Sequence, residues 1–329
     1  MKGLSLQEKI ERILKNQNLS IGLPSYTIRG RWWFKPFDHL DFWDLGFFIG
    51  LLLKFDEFKA VGLKLLEMLE ERIYPLNHNL GFLFYSSFVP AYLETGSNKL
   101  KHRIKAEAER MASLFNEELG FIPMDGPGGD SIAIDTLASL EFLWWASREY
   151  GSFKFSDIAM RHALSSLKFL LRQDGSTFHI CSLSKGPIRG QGLSSLSCWS
   201  RGAAWGALGF LRAYEETKEN LFKEACERIL RFAMSNVNED GVPPWDFCDK
   251  DGPKDTSAGA IFLKVLSSFN GDFSLWRESL HRSLSIKYVA KEENWEGFLK
   301  GGCYHYHWKK GIDESLIWGD FFALDVLEL

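Results

Sequence analysis

The chain has 329 residues, 45% of them hydrophobic, with a formal net charge of -4, enough to bury a large core within one domain. It carries no long run of Lys or Arg, so composition speaks against a nucleic-acid partner or a membrane surface. No apolar signal core follows Met1-Lys2-Gly3, and no later stretch approaches the length of a membrane span.

Helical periodicity dominates. It predicts twelve helices, near 5–17, 41–54, 56–73, 82–95, 98–116, 131–150, 153–172, 199–216, 219–235, 255–269, 273–290 and 313–328. Strand patterns are short and lie between helices, as in Phe178-His179-Ile180-Cys181. Polar turns ending in Gly recur: Asn79-Leu80-Gly81-Phe82, Glu118-Leu119-Gly120-Phe121, Glu239-Asp240-Gly241-Val242 and Trp295-Glu296-Gly297-Phe298. Glycine suits the left-handed residue that often ends a helix. The recurrence, roughly every 40 to 65 residues, suits one helical hairpin with its loops. Twelve helices make six hairpins, the content of an all-α (α/α)6 barrel, and no linker divides residues 1–329, so one domain is expected.

A ring of hairpins has inner and outer helices. Inner ones touch neighbours all round and should be apolar and rich in small residues, as Gly202-Ala203-Ala204-Trp205-Gly206-Ala207 is. The segments 98–116 and 219–235 carry a charged stripe and read as outer.

Five cysteines, Cys181, Cys198, Cys226, Cys248 and Cys303, are scattered without any Cys-x-x-Cys. They read as reduced thiols, and a cytoplasmic protein is expected. Aromatic residues make up 15% of the chain, with 12 Trp and 27 Phe. Such content builds a bulky core, or a carbohydrate cleft in which sugar faces stack on indoles; composition alone favours the core.

Four segments carry candidate chemistry. His78-Asn79-Leu80-Gly81-Phe82 opens a helix. Ile134-Asp135-Thr136-Leu137 lies in an apolar helix that continues to Trp144-Trp145. Gln191-Gly192 precedes Cys198-Trp199-Ser200-Arg201-Gly202 and Trp205. The last is Asp313-Glu314-Ser315-Leu316-Ile317-Trp318-Gly319-Asp320. Asp135 has mostly apolar neighbours, which predicts a raised pKa and a proton available near neutrality; the plainer reading is a cap or an Arg partner. Arg201 and Trp205, four apart, share one helix face. The guanidinium suits a carboxylate ligand and the indole a sugar, against a buried Arg–acid pair and a core Trp. His305-Tyr306-His307 lacks a clear third ligand, so no metal is expected. Asp313, Glu314 and Asp320 are expected to cap and order the last helix.

Together these segments resemble the unsaturated glucuronyl hydrolases and the related unsaturated rhamnogalacturonyl hydrolases, from about residue 40 to the C-terminus. The resemblance implies an (α/α)6 barrel that removes a 4,5-unsaturated uronic acid from short oligosaccharides, without metal or cofactor. The unsaturated sugar is a vinyl ether: protonation at C4 places oxocarbenium character at C5, and water then adds there. One carboxyl group can supply the proton and then activate the water, unlike the paired carboxyls of ordinary glycosidases. By resemblance Asp135 is that acid/base, and Trp43, His179, Gln191, Arg201 and Trp205 line the substrate pocket. Relatives carry an acid where this chain has Asn79, and an Asp-Asp where it has Ser195-Leu196. Asn hydrogen-bonds a hydroxyl but is no base. A catalytically impaired sugar-binding protein is therefore the alternative to an enzyme. An epimerase or ordinary glycosidase on the same barrel is a third reading, which fold alone does not separate.

Overall fold

The computed structural model describes residues 4–269 and 271–327. Met1–Gly3 and position 328 of the last expected helix therefore lie outside the described residues. Every stretch expected to be helical contains a helix, and helices dominate the structure.

One set of helices is buried nearly all round: Leu45–Leu53, the stretch Leu80–Phe88 with a π-helical turn at Phe84–Phe88, Ile134–Ser139, Ser200–Thr217, Thr256–Leu266 and Ile317–Val326. A second set shows one buried stripe each. Asn220–Asn236, for example, buries Phe222, Ala225, Cys226, Ile229, Leu230 and Ala233, the spacing of a single helix face. The buried helices meet in a fixed order. Ser200–Thr217 packs between Ile134–Ser139 and Thr256–Leu266, which packs on Ile317–Val326; that helix meets Leu45–Leu53, which meets Leu80–Phe88, and Leu80–Leu83 returns to Ile134–Ser139. Small residues permit the closest of these contacts. A Cβ on Gly202 or Gly206 would lie 3.0–3.1 Å from Ile134, and one on Gly209 would lie 2.7 Å from the Leu137 backbone.

Short strands lie between the helices, as the Phe178-His179-Ile180-Cys181 pattern suggested. Three small antiparallel sheets occur among the described residues: Gly22–Ile28 with Arg31–Pro36, Ser131–Ala133 with Ile180–Ser182 and Gly186–Ile188, and Gly302–His305 with Lys310–Glu314. The first is a hairpin whose two turn residues, Arg29 (φ 52°) and Gly30 (φ 77°), are both left-handed, matching the twist of its strands. The Glu314 carboxylate accepts the Arg29 and Gly30 N–H groups and the Thr27 hydroxyl, so it orders this hairpin and not the last helix. Asp320 likewise reaches outward, accepting the N–H groups of Phe298 and Leu299 at 2.8 Å each. Of the recurrent turn glycines, Gly120 and Gly241 are left-handed, whereas Gly81 and Gly297 are not. No helix among the described residues is long and apolar enough to cross a membrane.

Candidate active site

The second sheet builds the centre. Ala133 pairs with Ile180, and the Ile134 N–H donates to the His179 carbonyl at 2.9 Å. The chain then turns into Ile134–Ser139, with Asp135 in the first helical turn. Asp135 thus stands at a strand-to-helix junction, not within a long helix as its apolar neighbours suggested. The pairing brings His179, more than forty residues later, beside it: His179 Nε2 lies 3.8 Å from Asp135 Oδ2. His78 Nε2 lies 4.0 Å from Oδ1. His78 is set by a different contact, the Ser139 hydroxyl donating to its carbonyl at 2.8 Å.

Both distances exceed a formed hydrogen bond, so the attraction is electrostatic. Burial acts to raise the Asp135 carboxyl. The contact with the His179 ring and the nearby charge of His78 outweigh it, and the carboxyl falls to about 2. This reverses the raised value expected from apolar neighbours: the flanking sequence omits the two histidines that the fold supplies. His78 is itself pushed down by burial, with Asp135 pulling the other way. Its charge is therefore easily lost.

Asp135, Asn79, Trp43, His179, Gln191, Arg201 and Trp205 all line one cavity of about 640 Å³. Their environments differ. Asn79 caps the short helix Leu80–Leu83 with its backbone only, no side-chain cap bond being made. Trp43 is half-buried against Trp318 (ring centroids 4.7 Å apart) and Phe82 (5.6 Å). Trp205 is only 2% exposed, wedged between Phe82 and Phe322; it forms floor more than platform.

Arg201 takes the plainer of its two readings. It is fully buried. Nη1 donates to Asp255 Oδ2 (2.5 Å) and the Cys303 carbonyl (2.6 Å); Nη2 donates to Gln191 Oε1 (2.9 Å) and the Tyr304 carbonyl (2.5 Å). Trp199 and Trp318 cover its guanidinium. With both Nη atoms engaged, Arg201 holds the cavity wall together and has little left for a uronate. Arg189 and Lys310 also line the cavity and are exposed, so they are better placed to meet an anion.

Sequence reasoning passed over several lining residues. Trp199 lies in the quoted motif, yet only the fold shows its ring 4.5 Å from that of His179. Asp41 accepts the Tyr304 hydroxyl at 2.8 Å; no linear signal joins residues so far apart. His305 stacks on Trp308 at 3.8 Å, and His307 Nε2 lies 2.8 Å from the Gly192 carbonyl, so this His-x-His pair builds a cavity wall.

An acid between two imidazoles, under a rim of indoles, is equipped for proton transfer to and from a sugar. Helical glycoside hydrolases are the class that such a cleft in such a fold defines. No family model matches the chain. It is 30% identical over 320 residues, 87% of this chain and 81% of the relative, to the unsaturated chondroitin disaccharide hydrolase of Streptococcus pneumoniae strain ATCC BAA-255 / R6. Among solved structures it resembles an unsaturated glucuronyl hydrolase specific for heparin, with a TM-score of 0.86 and 28% identity over 98% of this chain and 93% of the other. It also resembles the unsaturated glucuronyl hydrolase of Bacillus sp. GL1, with a TM-score of 0.87 and 25% identity over 97% and 93%. The chain belongs to the unsaturated glucuronyl hydrolase family.

Proposed function

We propose that the chain, as one catalytic domain across 1–329 with its buried helices closed into an (α/α)6 barrel, hydrolyses 4,5-unsaturated uronyl oligosaccharides. The barrel is supported by the unbroken order in which the six buried stretches meet. The observation that carries the chemistry is Asp135 held between His78 and His179 in a cavity edged by Trp43 and Trp199.

Asp135 donates a proton to C4 of the vinyl ether, and positive character develops at C5. Water attacks C5 and gives its proton back to the Asp135 carboxylate, restoring the acid. The hemiketal opens and the adjoining sugar leaves. Substrate binding acts against the low Asp135 value. The uronate brings a negative charge, which opposes ionisation of a nearby carboxyl and favours its protonated form. Gln191 Oε1 is taken by Arg201, leaving its amide N–H groups for substrate hydroxyls. Asn79, on the same cavity lining, offers hydrogen bonds to a sugar hydroxyl. The five free cysteines fit a cytoplasmic protein.

The deciding experiment incubates the protein with lyase-generated unsaturated disaccharides and follows loss of the ultraviolet absorbance of the C=C bond. Loss with release of the second sugar supports the hydrolase. Binding without loss supports the alternative, a sugar-binding protein whose turnover is impaired, which Asn79 in place of an acid favours.

A further inference from the structure

The turn Gly190-Gln191-Gly192 wraps the far side of the His179 ring. The Gln191 backbone N–H donates to His179 Nδ1 at 2.8 Å. A Cβ on Gly190 would lie 1.9 Å from that same nitrogen, so no other residue fits there without displacing the ring. The turn is fastened at three further points. Arg201 holds the Gln191 side chain, His307 meets the Gly192 carbonyl, and the buried Asp246 carboxylate accepts the Leu193 N–H at 2.8 Å. Arg201 is fixed in turn by Asp255, which caps Thr256–Leu266 through Oδ1 and binds the guanidinium through Oδ2.

A nitrogen that accepts a backbone N–H carries no proton, so the ring's hydrogen sits on Nε2. Nε2 is the atom that faces Asp135. We propose that the 190–192 turn, anchored by Arg201 and Asp255, is a clamp that holds His179 in its Nε2–H tautomer with that hydrogen directed at Asp135. Asp255 and Gly190 are then positioning residues for the proton transfer, although neither is the acid. The clamp keeps a donor, never a lone pair, toward Asp135. Asp135 therefore cannot pass its proton to His179 and keeps it for the substrate carbon. A flipped or re-tautomerised ring would present an acceptor and drain that proton away.

The kinetic consequence rests on the hydrolase reading; the tautomer does not. The test is a long-range 1H–15N spectrum of protein labelled with 15N-histidine, with His179 assigned by His179→Gln, alongside kcat and KM on an unsaturated disaccharide. Wild type should show a bare Nδ1 and a protonated Nε2 at His179. Asp255→Asn and, independently, Gly190→Ala should each replace that pattern by mixed or averaged nitrogens. Each should lower kcat about 10²-fold, the scale of a misplaced catalytic contact, with KM changed far less. If Asp255→Asn does not fold, Gly190→Ala decides alone. A wild-type His179 protonated on Nδ1, folded variants that keep the wild-type pattern, or a lost pattern with unchanged kcat overturns the clamp. A wild type with the expected pattern but no turnover sinks the hydrolase reading and leaves the clamp standing.

Discussion

A Cβ placed on Gly81 would lie 2.0 Å from the carbonyl oxygen of Ser139. This close approach joins the helix that Asn79 begins to the helix that carries Asp135, and it lets the Ser139 hydroxyl reach the His78 carbonyl. Gly81→Ala must push the two helices apart. Overpacking of this kind costs about 1–3 kcal/mol. Urea unfolding should report that loss, and kcat should fall with it; unchanged stability would mean the contact is not a constraint.

Asp135→Asn keeps the shape of the side chain but cannot donate the proton. Turnover should drop by about 10²–10⁴-fold, the usual contribution of a general acid or base. Calorimetric affinity for the disaccharide should stay within a few-fold. Activity that survives the change removes Asp135 from the mechanism.

Asn79→Asp places a second carboxylate on the cavity lining. Like charges oppose each other's ionisation, so Asp135 moves up from its low value. The protonated form is the active one, so wild-type activity should decline as pH rises, and Asn79→Asp should carry that decline to higher pH with a faster rate near neutrality. The check is a pH–rate profile of both proteins on one substrate. A profile that stays in place would show that residue 79 does not act on Asp135 through charge.

Arg201→Met should cost stability before it costs affinity. The substitution strands the Asp255 carboxylate, which has no exposure, and breaking a buried pair from one side costs about 3–5 kcal/mol. Arg201→Lys keeps the charge but loses the fork that reaches Gln191 and two carbonyls at once, so it too should unfold at lower urea concentration. A higher KM at full stability would instead make Arg201 a plain substrate ligand.

His162 sets an acid limit on the fold. It is fully buried, its Nδ1 accepts the Ile122 N–H at 3.1 Å, and burial pushes its pKa down from 6.5 to about 3. The unfolded chain therefore holds the extra proton between those values. The stability this group contributes is fully present above pH 6.5 and is lost as pH falls toward 3, by about 1.4 kcal/mol per unit. His162→Gln should flatten that slope in urea titrations at pH 7, 6 and 5, although the substitution lowers stability at pH 7.

The helices were legible along the chain because their cause is local: an apolar stripe such as Phe222, Ala225, Ile229 and Ala233 needs only its own spacing to announce a helix. The two-residue Arg29-Gly30 turn was equally local, yet helical periodicity has no place for it. Motifs named Asp135, Asn79, Gln191 and Arg201, since each is a residue type in a short pattern. The surroundings of each come from neighbours remote in sequence. Asp135 is low because strand pairing brings His179 beside it and a tight glycine contact brings His78. Arg201 is a buried strut because Asp255 and the Cys303 and Tyr304 carbonyls converge on it. Burial and charge depend on every atom within a few ångströms, and chain order does not record which atoms those are. The sequence by itself determined where the helices form and which side chains are available for chemistry; only the tertiary structure decided their electrostatic state and their partners.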